Sequence, residues 1–145
     1  MPSKPCRQSD AWISAELGRR GLRATRQRRA ILRALLDHGD HPTASEVHRR
    51  ALRAIPNLSL KTVYEALDAF VAAGLASCLR EAGEPYRYDT RVEPHHHAWC
   101  RRCGRLADVP VAAPDLSASL GPLPPGFRPE RLVVTVVGHC GSCGA

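Results

Sequence analysis

Cys100-Arg-Arg-Cys103 and Cys140-Gly-Ser-Cys143 are two Cys-x-x-Cys pairs with 36 residues between them, and nothing else in the chain constrains its fold as tightly. Each pair can offer two thiolates to one ion. Four thiolates in tetrahedral geometry select zinc and leave no coordination position open, so the site they predict is structural. Gly104, Gly141 and Gly144 supply the tight backbone that such knuckles use. The competing readings are two unrelated Cys pairs or a disulfide. Compartment decides between them. The chain contains no run of 18 apolar residues that could span a membrane. Its start, MPSKPCRQSDAW, lacks the apolar core of a signal peptide. A cytoplasmic protein is expected, where thiols stay reduced and paired cysteines ligate metals. Cys6 and Cys78 have no partner at useful spacing and read as incidental.

The unit that these cysteines would staple is small. Residues 91–94, Arg-Val-Glu-Pro, read as a hinge that divides the chain into 1–90 and 95–145. Beyond the hinge, strands are expected at His95–Cys100 and Gly104–Val109, then a short helix at Ala113–Leu120. A β-branched strand follows at Leu132–Val137. About 50 residues make a marginal core, so a metal, a partner subunit or both are needed.

The first 90 residues read differently. A helix is expected over 11–20, ending at Gly21. Thr25 caps a second, with Ile31, Leu32, Leu35 and Leu36 on one face, ending around His38-Gly39. Thr43-Ala-Ser-Glu46 is a capping box that starts a third, stopped before Pro56. Ser59 caps a fourth, whose buried stripe is Val63, Leu67, Phe70 and Val71 and whose stop is Gly74. Two strands, Leu75–Leu79 and Tyr86–Tyr88, follow around the turn Glu81-Ala-Gly-Glu-Pro85. Helices followed by a hairpin is the order of a winged helix-turn-helix. This half also carries fifteen basic and ten acidic residues of the chain's 21 and 14. Eight Arg between Arg7 and Arg33 face only Asp10 and Glu16 there. That imbalance suits a polyanion, nucleic acid first.

His95-His96-His97 is a second constellation. On a strand His95 and His97 share a face and His96 points away. Two imidazoles at i, i+2 chelate, and the candidates to complete the shell are His41, Asp89 and Asp108. Three imidazoles and two carboxylates form a borderline-to-hard site suited to Fe(II), Mn(II) or Zn(II). A solvated His run is the plainer reading. A zinc hydrolase would need an open metal position and a general base, and no HExxH motif is present. The basic helical half argues against a bare zinc-ribbon interaction module.

From about Gly21 to Cys143 the chain resembles the ferric uptake regulator (Fur) family. The resemblance is carried by GLRATRQRRAIL, HPTASEVH, LSLKTVYEALDAFVAAGL, YRYD, HHHAWCRRCG, ADV, GF and GHCGSC. It implies an α+β protein: an N-terminal winged helix-turn-helix DNA-binding domain and a small C-terminal α/β dimerisation domain with structural zinc. It implies that zinc on Cys100, Cys103, Cys140 and Cys143. A regulatory Fe(II) or Mn(II) is implied on His41, Asp89, His95, His97 and Asp108. It implies a homodimeric repressor, not an enzyme, acting on an A/T-rich inverted repeat in double-stranded DNA. Many iron-sensing members have Glu where Asp108 stands, whereas the peroxide-sensing PerR branch has Asp, and all five positions match that branch. There, Fe(II) reacts with hydrogen peroxide and a ligating His is oxidised, which here would be His41 or His95. The zinc-sensing branch has Cys in place of Asp89. An iron-responsive regulator of metal uptake, or a manganese or zinc sensor, is the alternative. A further metal site found in some members is expected to be absent, since only His96 and Asp115 match its pattern and Pro94 and Leu132 stand at its other positions.

The helix from Ser59 resembles the family's recognition helix, whose N-terminal half enters the major groove. Tyr64 matches a Tyr that packs on thymine methyls. Ser59, Lys61 and Thr62 can reach phosphates or base edges, and Arg23 matches a residue that enters a narrow minor groove. Arg26, Arg28 and Arg29 are phosphate-contact candidates. Glu65 departs from the pattern, since an acid is unfavourable near phosphate unless it accepts from cytosine N4.

Overall fold

A computed structural model of the chain describes residues 9–37, 39–91, 93–111, 120–130 and 132–144. These form two compact units, Met1–Val92 and Glu93–Ala145. Residues 113–119 of the helix expected at Ala113–Leu120 fall outside the described residues, Asp115 among them, as does Cys6.

The first unit holds four helices and a two-stranded sheet: α1 (Asp10–Arg19), α2 (Arg26–Leu36), α3 (Ala44–Ala51), α4 (Leu60–Ala72), β1 (Ser77–Leu79) and β2 (Arg87–Asp89). Side-chain oxygens start all four helices by accepting an otherwise orphaned amide. Ser9 takes Trp12 N, Thr25 takes Arg28 N, Thr43 takes Glu46 N and Ser59 takes Thr62 N. At α3 the box is complete, because Glu46 Oε2 also accepts from Thr43 N at 2.8 Å. Helix α4 ends in a Schellman turn. Gly74, at φ 69°, donates to Val71 O, and Leu75 N reaches back to Phe70 O.

The core joins Ile13 and Leu17 of α1, Ile31, Leu32 and Leu35 of α2, Val47 of α3, and Val63, Leu67 and Phe70 of α4. Tyr88 enters it from β2, and burial pushes its hydroxyl pKa up to about 12. This winged-helix core covers the four helices and the wing.

Three boundaries in this unit differ from the sequence expectation. Helix α3 stops at Ala51 rather than running to Pro56. Arg53 N and Ala54 N bond three residues back, to Arg50 O and Ala51 O, so the chain tightens out of the helix early. Strand β1 begins at Ser77, not Leu75, because the Leu75 amide is committed to the Schellman turn. Strand β2 covers Arg87–Asp89 rather than Tyr86–Tyr88. Its register of Ser77↔Asp89, Cys78↔Tyr88 and Leu79↔Arg87 sends Tyr88 into the core.

The second unit is a three-stranded sheet, β3 (His95–Cys100), β4 (Leu106–Pro110) and β5 (Thr135–Gly138), in the order β4-β3-β5. Strand β4 is antiparallel to β3 and β5 is parallel to it. Strand β4 starts at Leu106 instead of Gly104, because Gly104 N and Cys100 N close a knuckle on Cys100 O and Arg105 O. Strand β5 starts at Thr135 instead of Leu132. Pairing with β3 begins only at His97↔Thr135, which leaves Leu132 and Val133 outside the ladder. Among the described residues of this unit only Trp99, Cys100 and Leu106 are buried apolar groups. Leu123, Phe127, Leu132, Val133 and Val136 are exposed. That is too little core for a unit of this size to hold by burial alone.

Candidate metal centres and nucleic-acid surface

The two Cys pairs converge in the second unit. One sulfur from each of Cys100, Cys103, Cys140 and Cys143 lies within 4.8 Å of all the others. Cys103 Sγ and Cys140 Sγ are 3.7 Å apart. A zinc tetrahedron with Zn–S of about 2.3 Å has edges of about 3.8 Å, so the cluster has the size that zinc requires. None of the four is disulfide-bonded in this arrangement, which favours the metal reading. Two matching knuckles build the site. Gly104 N bonds Cys100 O at 2.9 Å, and Gly144 N bonds Cys140 O at 3.2 Å, with Cys143 N on the same oxygen at 2.9 Å. Gly104 and Gly144 adopt φ of 69° and 49°, which L side chains resist. Gly141, expected to serve alike, does not have positive φ.

Further bonds tie the knuckles to the sheet. Arg101 N donates to Gly138 O at 2.8 Å, Arg102 Nη1 to Cys143 O at 2.9 Å, and Cys140 N to Cys100 Sγ at 3.3 Å. Backbone amides, that of Cys103 first and that of Cys140 next, hold Cys100 as a thiolate with its pKa down at about 5. The neighbouring Cys140 side chain, followed by Cys103, pushes Cys143 up to about 12. Four like charges at this spacing keep the last proton in place, and a divalent cation is what lets all four ionise.

The His and Asp candidates form one group in each unit. In the first unit His41 Nε2 lies 3.9 Å from Asp89 Oδ2, and both side chains are buried. Their approach follows from the backbone. Tyr88 N donates to Pro42 O at 3.0 Å, and Thr43 bridges antiparallel to Arg87, so the residues before α3 lie along β2. Arg91 N donates to Asp89 Oδ1 at 2.8 Å, which fixes the carboxylate with Oδ2 towards His41.

In the second unit His95 and His97 share a face of β3, with ring centroids 4.6 Å apart. Asp108 stands opposite His97 in the β3–β4 register, and its Oδ1 is 3.5 Å from His95 Nε2. His95 Nδ1 sits 2.7 Å from Glu93 O. A carbonyl only accepts, so Nδ1 carries a proton, and in the neutral ring this leaves Nε2 as the atom that can ligate a metal. His96 points to the other face, where its Nδ1 accepts from Val134 N at 3.3 Å.

On the DNA-binding candidates the structure is specific. Tyr64 is 43% exposed on α4. With Tyr86, Pro85 and Thr43–Ser45 it lines a cavity of about 240 Å³. Lys61 pairs with Glu65 at 3.6 Å on the exposed face of α4, so the unexpected acid already has a cation beside it. Ser59 Oγ is engaged by Thr62, both its amide and its hydroxyl. Arg23 and Arg26 are exposed, and Arg28 Nη1 donates to Arg23 O at 3.3 Å, bracing the turn into α2. Sequence reasoning missed three parts: the Glu93 carbonyl, the Arg91 amide and Arg87, which donates to His41 O at 2.9 Å. Arg87 carried one available signal, its i, i+2 spacing from Asp89 on a strand. Cys78 is exposed on β1, and burial of its sulfur followed by the charge of Asp68 raises its pKa.

Residues 19–116 match the Ferric uptake regulator family. Ferric uptake regulation protein 1 of Mycolicibacterium fortuitum is 44% identical over 96 residues, which cover 66% of this chain and 59% of that protein. The chain thus spans little more than half the length of that relative. The peroxide operon regulator of Bacillus subtilis is 32% identical over 123 residues, 85% of each chain. The crystal structure of the Vibrio cholerae ferric uptake regulator superposes with a TM-score of 0.71 at 21% identity, covering 88% of this chain and 98% of that one. At that identity the likeness establishes the fold.

Proposed function

Because the chain belongs to the ferric uptake regulator family, we propose that it is a homodimeric, metal-dependent DNA-binding repressor of the peroxide-sensing kind. The observation that carries this reading is the donor chemistry on either side of residues 91–94. An imidazole–carboxylate pair, His41 and Asp89, belongs to the first unit, and two imidazoles and a carboxylate, His95, His97 and Asp108, belong to the second. One ion held by all five would restrict the hinge. An ion that binds the restricted arrangement better shifts the population towards it. In a twofold dimer this sets the spacing of the two recognition helices on an A/T-rich inverted repeat. Zn(II) on the four cysteines would keep the second unit folded, and its exposed apolar residues would be covered by the second copy.

Each proposed ligand is prepared by the chain itself. Glu93 O fixes the His95 tautomer, the Arg91 amide orients Asp89, and the β3–β4 register brings Asp108 to the His face. Three imidazoles and two carboxylates suit Fe(II) or Mn(II). Fe(II), when bound, supplies one-electron chemistry with hydrogen peroxide beside these ligands. His41 and His95 are the side chains proposed to take up oxygen and so lose their hold on the ion. Asp108, one methylene shorter than Glu, and the kinship with a peroxide operon regulator favour this reading. Iron-responsive control of metal uptake is the second reading, favoured by the 44% identity to a ferric uptake regulation protein.

Peptide mass spectrometry after peroxide treatment separates them. The peptide carrying His41 or His95 should gain oxygen in the Fe(II) protein and stay unchanged in the Mn(II) protein. An unmodified Fe(II) protein would leave iron sensing.

A further inference from the structure

Arg87 stands where the His41–Asp89 pair meets the helix-turn-helix. It lies on β2 two residues before Asp89, on the same face of the strand, with Tyr88 turned into the core between them. Its side chain is 18% exposed. Nη1 donates to His41 O at 2.9 Å and lies 3.9 Å from Glu46 Oε2. That same Glu46 oxygen accepts from Thr43 N at 2.8 Å and from Thr43 Oγ1 at 3.1 Å, forming the N-terminal cap of α3. One guanidinium therefore bonds the backbone of a proposed ligand and places its charge beside the carboxylate that caps α3. Between these two points run Pro42, Thr43, Ala44 and Ser45, the first two paired to β2.

We propose that Arg87 is the positioning residue that sets His41 against Asp89 and couples metal binding there to the N-terminus of α3. The proposal rests on the reading of His41 and Asp89 as metal ligands given above. A fixed, always-charged fork suits the task. Its rigid plane keeps Nη1 aimed at the carbonyl with the delocalised charge beside the carboxylate, a fixed geometry that a flexible lysine ammonium lacks. His41 is held through its own carbonyl, so its imidazole stays available to an ion. When the ion draws the imidazole and Asp89 together, the strain passes through the His41 carbonyl and Arg87 to Glu46. The same Glu46 carboxylate holds the cap of α3, the first helix of the helix-turn-helix.

The test uses the full-length, zinc-loaded protein and Mn(II), whose free-ion spectrum disappears on binding. Arg87→Met should weaken Mn(II) binding about 10–100-fold, the usual cost of losing a partner that orients a ligand. Arg87→Lys should recover part of that loss. Glu46→Gln keeps a cap, since Gln also serves at that position, but removes the charge that Arg87 grips, and should weaken binding by less. A second readout separates coupling from mere folding. Mn(II) should slow hydrogen exchange of the amides of residues 44–47 in the wild type, and saturating Mn(II) should fail to do so in Arg87→Met.

Wild-type Mn(II) affinity in a folded Arg87→Met protein would overturn the proposal. Should that variant not fold, unchanged affinity in Glu46→Gln would overturn it. If His41→Ala binds Mn(II) as the wild type does, the ligand assignment itself fails. If binding is lost in His41→Ala but kept in Arg87→Met, only the role of Arg87 fails.

Discussion

Replacing Cys100 by Ser should unfold the second unit and dissolve the dimer while leaving the first unit folded. The size of the effect follows from what the unit buries. Trp99 and Leu106 are its buried large apolar side chains among the described residues. Each contributes about 1.5–3 kcal/mol, so the pair supplies about 3–6 kcal/mol. Ordering the backbone of β3 alone, six residues, costs about 6–12 kcal/mol at about 1–2 kcal/mol per residue. Burial therefore falls short before the other strands are counted. Structural zinc contributes about 10–16 kcal/mol in small zinc-folded peptides, which is the scale needed.

Cys100 is the thiolate whose loss should hurt most. It is the buried member of the four, its sulfur accepts from Cys140 N, and its backbone closes the knuckle onto β4. Zinc content, sedimentation velocity and hydrogen exchange over residues 93–145 read the outcome. Loss of zinc, a monomeric mass and unprotected amides in that stretch are expected, with protection over α2 and α4 unchanged. A zinc-free Cys100→Ser dimer with a protected sheet would show that zinc does not hold the second unit together.

Other consequences are smaller and independent of that site. Gly74→Ala places an L side chain at φ 69°, where its Cβ would also meet Arg20 Nη1 at 3.2 Å. Urea unfolding should show a loss of about 1–2 kcal/mol, most of it backbone strain, because the guanidinium can swing aside. DNA affinity should fall linearly in log–log form with salt, and Arg26→Ala, which removes a phosphate-contact candidate, should reduce the slope by about one. An unchanged slope would remove Arg26 from the phosphate contacts. The hydrogen bonds from Arg19 hold the Glu16 carboxyl below its ordinary value against the opposing effect of burial, with the charge of Arg19 and the contact from Arg20 adding to the lowering. A lowered acid stabilises the fold above its unfolded pKa, near 4.5. That contribution disappears as pH falls through the lower folded value. Glu16→Gln should therefore flatten the acid limb of the stability profile and leave neutral pH little changed, since surface pairs contribute little.

Much of this architecture is legible from residues close together in the chain. Thr25, Thr43 with Glu46, Ser59 and Gly74 act within one helical turn, and each caps or stops a helix where local chemistry says it should. The Cys quartet is legible for a different reason: its spacing admits few other uses. Strand limits are not local. Leu132 and Val133 have the β-branched or apolar character of a strand but find no partner on β3, so β5 begins at Thr135. The Leu75 amide could have joined a ladder, but α4 claims it. The hydrogen bond from Arg87 to His41 spans 46 residues of sequence, and no periodicity encodes such a contact. The exposure of Tyr64 and the pairing of Glu65 with Lys61 likewise depend on which face of α4 the core selects.

A metal ion on His41, Asp89, His95, His97 and Asp108 is proposed to gate DNA binding. Titrating Mn(II) into the zinc-loaded protein, against a chelator too weak to strip the Cys site, and reading its affinity for an A/T-rich inverted-repeat duplex tests that gate. Tight binding should appear with one Mn(II) per subunit and be lost in the chelator, with His97→Ala and Asp89→Ala held in the weak state. Equal affinity with and without Mn(II), or wild-type behaviour in both variants, would rule the gate out.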